Sequence, residues 1–513
     1  MVAVFNFGGQ YAHLIARRVR ELGVKSELVP PDISLSDFKK LAPEAIIFSG
    51  SPHSAYEKNS PKVDPKIYDL KIPILGICYG MQLASYQLGG KVTNHTQKQF
   101  GKEKVELSRS KLFAGLSNTQ TVWFSHGDVV DLAPRGFVKI ASTKSVNIAG
   151  IEDTNRKIYG IQFHPEVTHT TGGTQILKNF LFEISGAKRD WDIKEVKDHI
   201  IKSIKSKIKN EKIIMAVSGG VDSLVAAALI KVASPKNLYL VFIDTGLMRK
   251  GEVAEVQSII KKVNFKNFKT IDASNIFLSA LKGVIDPEEK RKIIANEYFK
   301  VFEREAAKIT NALPAGRQVK FLGQGTIYPD RIESAQPNKH ADKIKSHHNV
   351  TRPIGLKLEI IEPLAELYKD EVRKIGALLK ISPEFLNRHP FPGPALAIRI
   401  LGEVTDERLA IVREADSIFI TELKSSGHYN AIGQALVALL PVKSVGVMGD
   451  ARTYSYIVSL RAVDTTDFMT ADWSKLPNDL LEKISSRITN EVRGVNRVVY
   501  DITQKPPATI EYE

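Results

Sequence analysis

The stretch that most limits this chain is Lys212-Ile213-Ile214-Met215-Ala216-Val217 followed by Ser218-Gly219-Gly220-Val221-Asp222-Ser223. A β-branched strand runs into two glycines, then into a helix-forming run that Leu224 opens. Backbone N–H groups at such a strand–turn–helix converge on one spot, and the helix dipole favours an anion there. The glycines allow close approach and positive φ. The hydroxyls of Ser218 and Ser223 add donors. Asp222 repels phosphate, so it reads as a contact for a bound magnesium ion. No Gly-Lys-Ser/Thr follows, so the loop is not of the Walker type.

The loop resembles the pyrophosphate loop of the ATP pyrophosphatases, which cleave ATP between its α and β phosphates. Length fits about three domains of roughly 150 residues each. Composition is that of a globular protein, 43% apolar and 25% charged. No apolar run approaches the ~20 residues of a membrane span. Met1–Phe7 lacks a basic n-region and reads as a first strand, not a signal. A single cysteine excludes an intrachain disulfide and a cysteine-based zinc site, and it fits a reducing cytoplasm. The net charge of +15, from 72 basic and 57 acidic residues, is spread out, with a local excess in Lys194–Lys212. No aromatic-basic ribbon or zinc-finger spacing accompanies it. A lysine-rich solvated surface with nucleotide pockets is expected, with no nucleic-acid or membrane partner.

In residues 1–190, strands at Val2–Phe7, Ala45–Phe48 and Ile72–Ile77 alternate with helices at Ala12–Leu22 and Met81–Leu88. This predicts a doubly wound parallel sheet with helices on both faces. Gly76-Ile77-Cys78-Tyr79-Gly80 has the shape of a nucleophile elbow with cysteine as nucleophile. A helix N-terminus there favours the thiolate. His164 and Glu166 lie two apart on an extended segment and face the same way. Glu166 therefore orients His164, which takes the proton of Cys78. The Gly50-Ser51 backbone and the N–H of Tyr79 are candidates for an oxyanion hole.

These residues, with Phe7-Gly8-Gly9-Gln10-Tyr11, Ser125-His126-Gly127-Asp128 and His164-Pro165-Glu166-Val167, resemble the class I glutamine amidotransferases. In that family the cysteine attacks the glutamine amide, forms a γ-glutamyl thioester and releases ammonia. The resemblance implies that Gln82 and the turn Ser125, His126, Gly127, Asp128 help to hold glutamine. Ser51 stands where the family usually has glycine.

Residues 191–388 begin with a lysine-rich helix over Trp191–Asn210. The strand Leu238–Ile243 ends at Asp244-Thr245-Gly246, and the carboxyl ends of such strands bind ligands. The adenosine half of ATP is expected there, against the Val241 and Ile243 backbone. His347 and His348 are adjacent and diverge, which argues against a shared metal ion. Asp330 and Glu333 read either as magnesium contacts or as helix N-terminal acids. Asn311–Phe321 reads as a surface loop.

Residues 389–513 open with His389-Pro390-Phe391-Pro392-Gly393-Pro394, which excludes helix. Strands are predicted at Ala397–Leu401, Ser444–Met448, Ile457–Ala462 and Arg497–Ile502, with helices at Asp406–Glu422 and Leu476–Val492. A small α+β domain results, whose sheet edge suits pairing with a second copy. Lys505 suits a phosphate and Glu511 a base N–H. The whole chain now resembles the glutamine-hydrolysing GMP synthetases, through Lys290-Arg291-Lys292-Ile293-Ile294, Gly325–Ser334, Lys345–Asn349, Val445–Asp450 and Lys505–Glu511. The resemblance implies a homodimer and the substrates xanthosine monophosphate (XMP), ATP and glutamine. It implies XMP contacts from Arg291, Gln434, Arg497, Lys505 and Glu511, and an ATP-site lid holding Asp330, Glu333, Lys345, His347 and His348. Thr351-Arg352-Pro353 and Ala395 depart from the family pattern. Another amidotransferase-coupled ATP pyrophosphatase acting on a different carbonyl, and a charge-driven nucleic-acid binder, are the alternative readings.

Overall fold

A computed structural model describes residues 1–314, 318–335, 358–448, 450–465, 468 and 470–513. The described residues form two compact units, one over Met1–Asp192 and one from Ile193 onward. Among the described residues no helix is long and apolar enough to cross a membrane.

The first unit is built on a nine-stranded sheet: β1 Val2–Phe5, β2 Ser26–Val29, β3 Ala45–Phe48, β4 Ile74–Ile77, β5 Lys91–Leu107, β6 Thr119–Leu132, β7 Val138–Ser142, β8 Gly150–Asp153 and β9 Ile158–Ile161. The spatial order is β2-β1-β3-β4-β9-β8-β7-β5-β6. The expected parallel sheet holds for β2, β1, β3, β4 and β9. The remaining strands run antiparallel, a correction to that expectation. The cause is connection length. The links from β5 to β6, β7 to β8 and β8 to β9 are too short for helical crossovers, so each of these pairs of strands reverses. The parallel half reads as buried apolar runs, Val2–Phe5 and Ala45–Phe48 being fully buried. Phe5 and Phe48 pack edge-to-face at 5.3 Å, and Phe7 meets Tyr79 at 5.3 Å. This aromatic core ties β1 and β3 to the helix Tyr79–Gln87.

The second unit contains a parallel sheet of β10 Lys212–Val217, β11 Leu238–Asp244, β12 Asn267–Asp272, β13 Val319–Gly323 and β14 Glu359–Ile361, in the order β12-β11-β10-β13-β14. From β10 the chain builds outward through β11 and β12, then returns to β13 on the other side. The reversal opens a crevice at the carboxyl end of β10, where Ser218–Gly220 lies. The lysine-rich helix spans Ile193–Ile208 and buries Ile204 and Ile208. Asn311 ends the long helix Pro287–Asn311 and Val319 starts β13, so the expected loop is shorter at both ends.

A second sheet holds β15 Gln434–Met448, β16 Ala451–Asp464, β17 Asp472–Trp473 and β18 Val495–Tyr500. β15 and β16 form one long antiparallel hairpin, of which the two short strands expected from sequence are only parts. Helices Asp406–Ser425 and Asn478–Glu491 pack through Phe419 and Ile484 on the face that carries Val437 and Leu460. Ile510 and Tyr512 pack against Leu436 and Ala438 on the opposite face.

The strand expected at Ala397–Leu401 is not formed. Ala395–Arg399 is a 3₁₀ turn, followed by a single bridge from Ile400 to Leu439. Pro392 and Pro394 start the turn, and Ala395 takes φ +56°, in the left-handed region that favours glycine. Replacing it illustrates opposed terms. Ala395→Gly relieves ~1–2 kcal/mol of left-handed strain. It also loses a buried methyl worth about 0.8 kcal/mol and loosens the unfolded chain by about 0.4–1 kcal/mol. Stability in urea should therefore move by less than about 1 kcal/mol. Ala395→Val, β-branched at positive φ, should lower it by more than roughly 2 kcal/mol.

Candidate functional site

In the first unit, β4 ends at Ile77 and the chain turns at Cys78, with φ +54° and ψ −110°, into the helix Tyr79–Gln87. A non-glycine residue held there is strained. Two glycines make the turn possible. A Cβ on Gly76 would meet the Gly80 backbone at 2.6 Å, and one on Gly80 would meet the Phe48 backbone at 2.5 Å. The first helical N–H groups, including that of Tyr79, have no intrahelical partner.

Cys78 is 5% exposed and lines a cavity of about 560 Å³ with Gly8, Tyr11, Gly50, Ser51, Gln82, Ser125–Asp128 and His164. The Cys78 thiol donates to the Ser125 carbonyl at 3.7 Å, His164 interacts with the same sulfur, and His164 Nδ1 lies 2.6 Å from Glu166 Oε1. All three side chains are buried. Burial opposes a charged imidazole, yet the Glu166 carboxylate and the hydrogen bonds to Cys78 and Glu166 push His164 up to about 10. Tyr11 packs its ring edge against His164 at 4.9 Å, and Arg18 Nε donates to the Glu166 carbonyl at 2.9 Å. Gly50 abuts the imidazole: a Cβ added to it would lie 3.5 Å from His164 Cε1. Ser51 lies outside the left-handed region, so serine fits there without strain.

Gln82 Nε2 donates to the Asp128 carbonyl at 2.8 Å, and His126 Nδ1 lies 2.9 Å from the same oxygen. Asn94 donates to the Asp128 carboxylate at 3.1 Å. Sequence reasoning missed Gln162, whose Nε2 lies 3.6 Å from Cys78 Sγ. The period-two pattern that links His164 and Glu166 also includes it.

In the second unit the loop after β10 places Gly219 at φ +81° and starts the helix Val221–Ala233 after Gly220. Ser223 Oγ accepts from the Ser218 N–H at 3.2 Å and lies 3.3 Å from Ser218 Oγ. Asp222 Oδ2 pairs with the Lys369 ammonium, while Oδ1 is buried without a hydrogen-bond partner among the described residues. Lys369 was not legible in sequence, since it lies 147 residues from its partner. Val241 pairs with Ala216 of β10 and with Lys269 of β12, whereas Ile243 pairs with Ile271 of β12 alone, because the β10 register ends at Val217 opposite Phe242. β10 therefore stops short of Ile243, and the chain leads from there to Thr245-Gly246.

Asp330 caps its own helix, accepting from the Ile327 N–H at 3.3 Å. Lys345, His347, His348 and Thr351–Pro353 lie outside the described residues, as does the side chain of Glu333. Of the five acceptor-binding candidates, the structure joins Gln434 and Glu511 directly, at 2.7 Å. Arg291 donates to the Glu513 carbonyl at 2.6 Å, and Lys505 to the Phe468 carbonyl at 2.6 Å. Arg497 is exposed on β18. Sequence reasoning also missed Arg399, which is fully buried. It clasps Glu511 through Nε at 3.0 Å and Nη2 at 2.9 Å, and reaches Asp416 through Nη1 at 3.3 Å.

The raised His164 sets a pH window. A folded-state value above the unfolded ~6.5 contributes stability that is full below pH 6.5 and lost as pH rises towards about 10. The melting temperature of the native chain should exceed that of His164→Gln at pH 6, and the gap should shrink by pH 10 in calorimetry.

Three family models match the chain: class-I glutamine amidotransferase over residues 3–184, NAD synthase over 193–322 and the GMP synthase C-terminal domain over 421–512. The glutamine-hydrolysing GMP synthase of Carboxydothermus hydrogenoformans is 52% identical over 514 residues, spanning 100% of this chain and 99% of that protein. Those of Caldicellulosiruptor saccharolyticus and Geobacillus kaustophilus are 52% and 50% identical over 516 and 515 residues, with the same coverage. Identity of this order along the full length leaves one assignment: the chain belongs to the family of glutamine-hydrolysing GMP synthases.

Proposed function

We propose that the chain makes GMP from XMP, ATP and glutamine, releasing AMP, pyrophosphate and glutamate. The observation that carries this is the presence, in one chain, of a strained cysteine elbow backed by His164 and Glu166 and a Ser218–Ser223 loop at a sheet switch point. Cys78 attacks the glutamine amide, His164 moves the proton, and Glu166 holds the imidazole. Gly50 and the Tyr79 N–H supply the oxyanion hole, and Gln82 with Ser125–Asp128 hold glutamine. At the second site the Ser218–Leu224 segment binds the β and γ phosphates that depart together. The purine O2 of XMP attacks the α phosphate, and ammonia then displaces AMP from the adenylated intermediate. Preorganised donors aimed at the phosphates do most of the work.

Magnesium fits this site. The Oδ1 of Asp222 is buried and, among the described residues, is an acceptor with no hydrogen-bond partner. Among the described residues no three acidic, histidine or cysteine side chains gather to form a metal cage. Asp222, with Asp330 as a second candidate, would therefore share the ion with substrate phosphates, as magnesium sites commonly do. The bound ion would neutralise charge on the departing pyrophosphate.

Arg291, Gln434, Arg497, Lys505 and Glu511 are proposed to receive XMP, with Arg399 fixing Glu511. The divisions at 190/191 and 388/389 are proposed domain boundaries. A cytoplasmic site is proposed because the chemistry needs the lone cysteine as a thiol. The end of the β15–β16 hairpin projects Val445 at 51%, Val447 at 76% and Tyr454 at 67% exposure, with Val445 paired to Tyr454. Such an apolar strip supports a homodimer through this region.

Cys78→Ala should abolish glutamine-dependent synthesis and spare synthesis from added ammonium; joint loss of both would sink the two-site reading. Asp222→Asn should abolish synthesis from either nitrogen source. For the dimer, Val447→Lys should shift the chain to monomer in sedimentation at micromolar concentration, and an unchanged dimer would remove this strip from the interface.

A further inference from the structure

We propose that Gln162 is a further catalytic residue of the amide-hydrolysing site, its side-chain N–H holding negative charge on the Cys78 sulfur. This rests on the reading of Cys78 as the nucleophile. The register of the sheet puts the two residues side by side. Ile77 at the end of β4 pairs with Ile161 at the end of β9, and the Cys78 N–H donates to the Ile161 carbonyl at 2.8 Å. The next residue of each strand is Cys78 and Gln162. Gln162 is fully buried, with Nε2 3.6 Å from Sγ, a hydrogen-bond length for an atom as large as sulfur.

The direction of that hydrogen bond is dictated by a chain of amides. The Asp128 carbonyl only accepts, so Gln82 must turn Nε2 towards it, at 2.8 Å. The same Nε2 reaches Gln162 Oε1 at 3.3 Å. Gln162 Oε1 is thereby engaged as an acceptor, and its N–H is left facing the sulfur. A donor aimed at a thiolate in a buried site is charge-assisted and strong.

The sulfur carries charge at both ends of the cycle. On attack, its electron pair forms the C–S bond, and the amide nitrogen leaves as ammonia with a proton from His164. On hydrolysis, water adds to the thioester and gives a proton to His164. The C–S bond then breaks, and the electron pair returns to sulfur. Gln162 meets that charge without moving, while His164 handles the protons.

The test uses Gln162→Leu, which removes the donor at similar size, and Gln162→Glu, which keeps the shape but presents an acceptor. In each full-length variant the glutaminase kcat should fall roughly 10- to 100-fold. The KM for glutamine should change less than about threefold, the split expected for an interaction with the reacting atom. Alkylation of Cys78 by iodoacetamide at pH 7 should slow in parallel, and ammonium-driven synthesis should persist. Unchanged alkylation and hydrolysis in both variants would overturn the proposal. So would a parallel loss of ammonium-driven synthesis, which marks a structural role. Glutaminase activity surviving in Cys78→Ala would instead overturn the reading of the site itself.

Discussion

Both candidate sites depend on one constraint of parallel sheets. A strand that feeds a helix through a tight turn leaves the first helical N–H groups unpaired at the sheet's carboxyl edge. In the first unit that edge presents Cys78, and in the second it presents Ser218–Ser223. The two turns solve the same problem differently. Cys78 must project a side chain, so a non-glycine residue is forced to φ +54° and neighbouring glycines make room. The phosphate loop must present backbone, so glycine itself takes the positive φ at Gly219.

Electrostatics separates the sites further. The thiol site is buried and nearly closed in charge. Glu166 faces His164, His164 faces Cys78, and the amides of Gln82 and Gln162 and the Ser125 carbonyl lie behind the sulfur-bearing wall of the cavity. The loop site is half-open and holds an unbalanced acceptor, Asp222 Oδ1, beside the Lys369 pair. A buried orphan acceptor is costly, and a cation brought with the substrate relieves it. In the C-terminal part, Arg399 is wholly buried between Asp416 and Glu511, and its guanidinium also lies 5.1 Å from the Phe391 ring centre. Two carboxylates offset its desolvation, and the same contacts hold Glu511 in a single orientation against Gln434.

Much of this was legible from local pattern. The strand–turn–helix segments, the elbow and the His164–Glu166 pair all lie within a few residues of one another, so strand and helix periodicity is enough to find them. What was misread has a common cause. Ala397–Leu401 is apolar in a strand-like way, yet two prolines and Ala395 at positive φ coil it. The antiparallel half of the first sheet, β5 to β8, holds strands for which no expectation was formed, so the parallel pattern of Val2–Ile77 was extended over it.

By itself the sequence determined the elements that bear the chemistry, the residue types at each turn and the family to which the chain belongs. Only the tertiary structure decided which distant groups complete each site. Lys369 reaches Asp222 across 147 residues and Arg399 reaches Glu511 across 112. Sheet register, an arrangement between strands, sets Gln162 beside the Cys78 sulfur. Periodicity reports which way a side chain points along its own segment; which partner it meets depends on how segments pair, and that is settled only when the sheet closes.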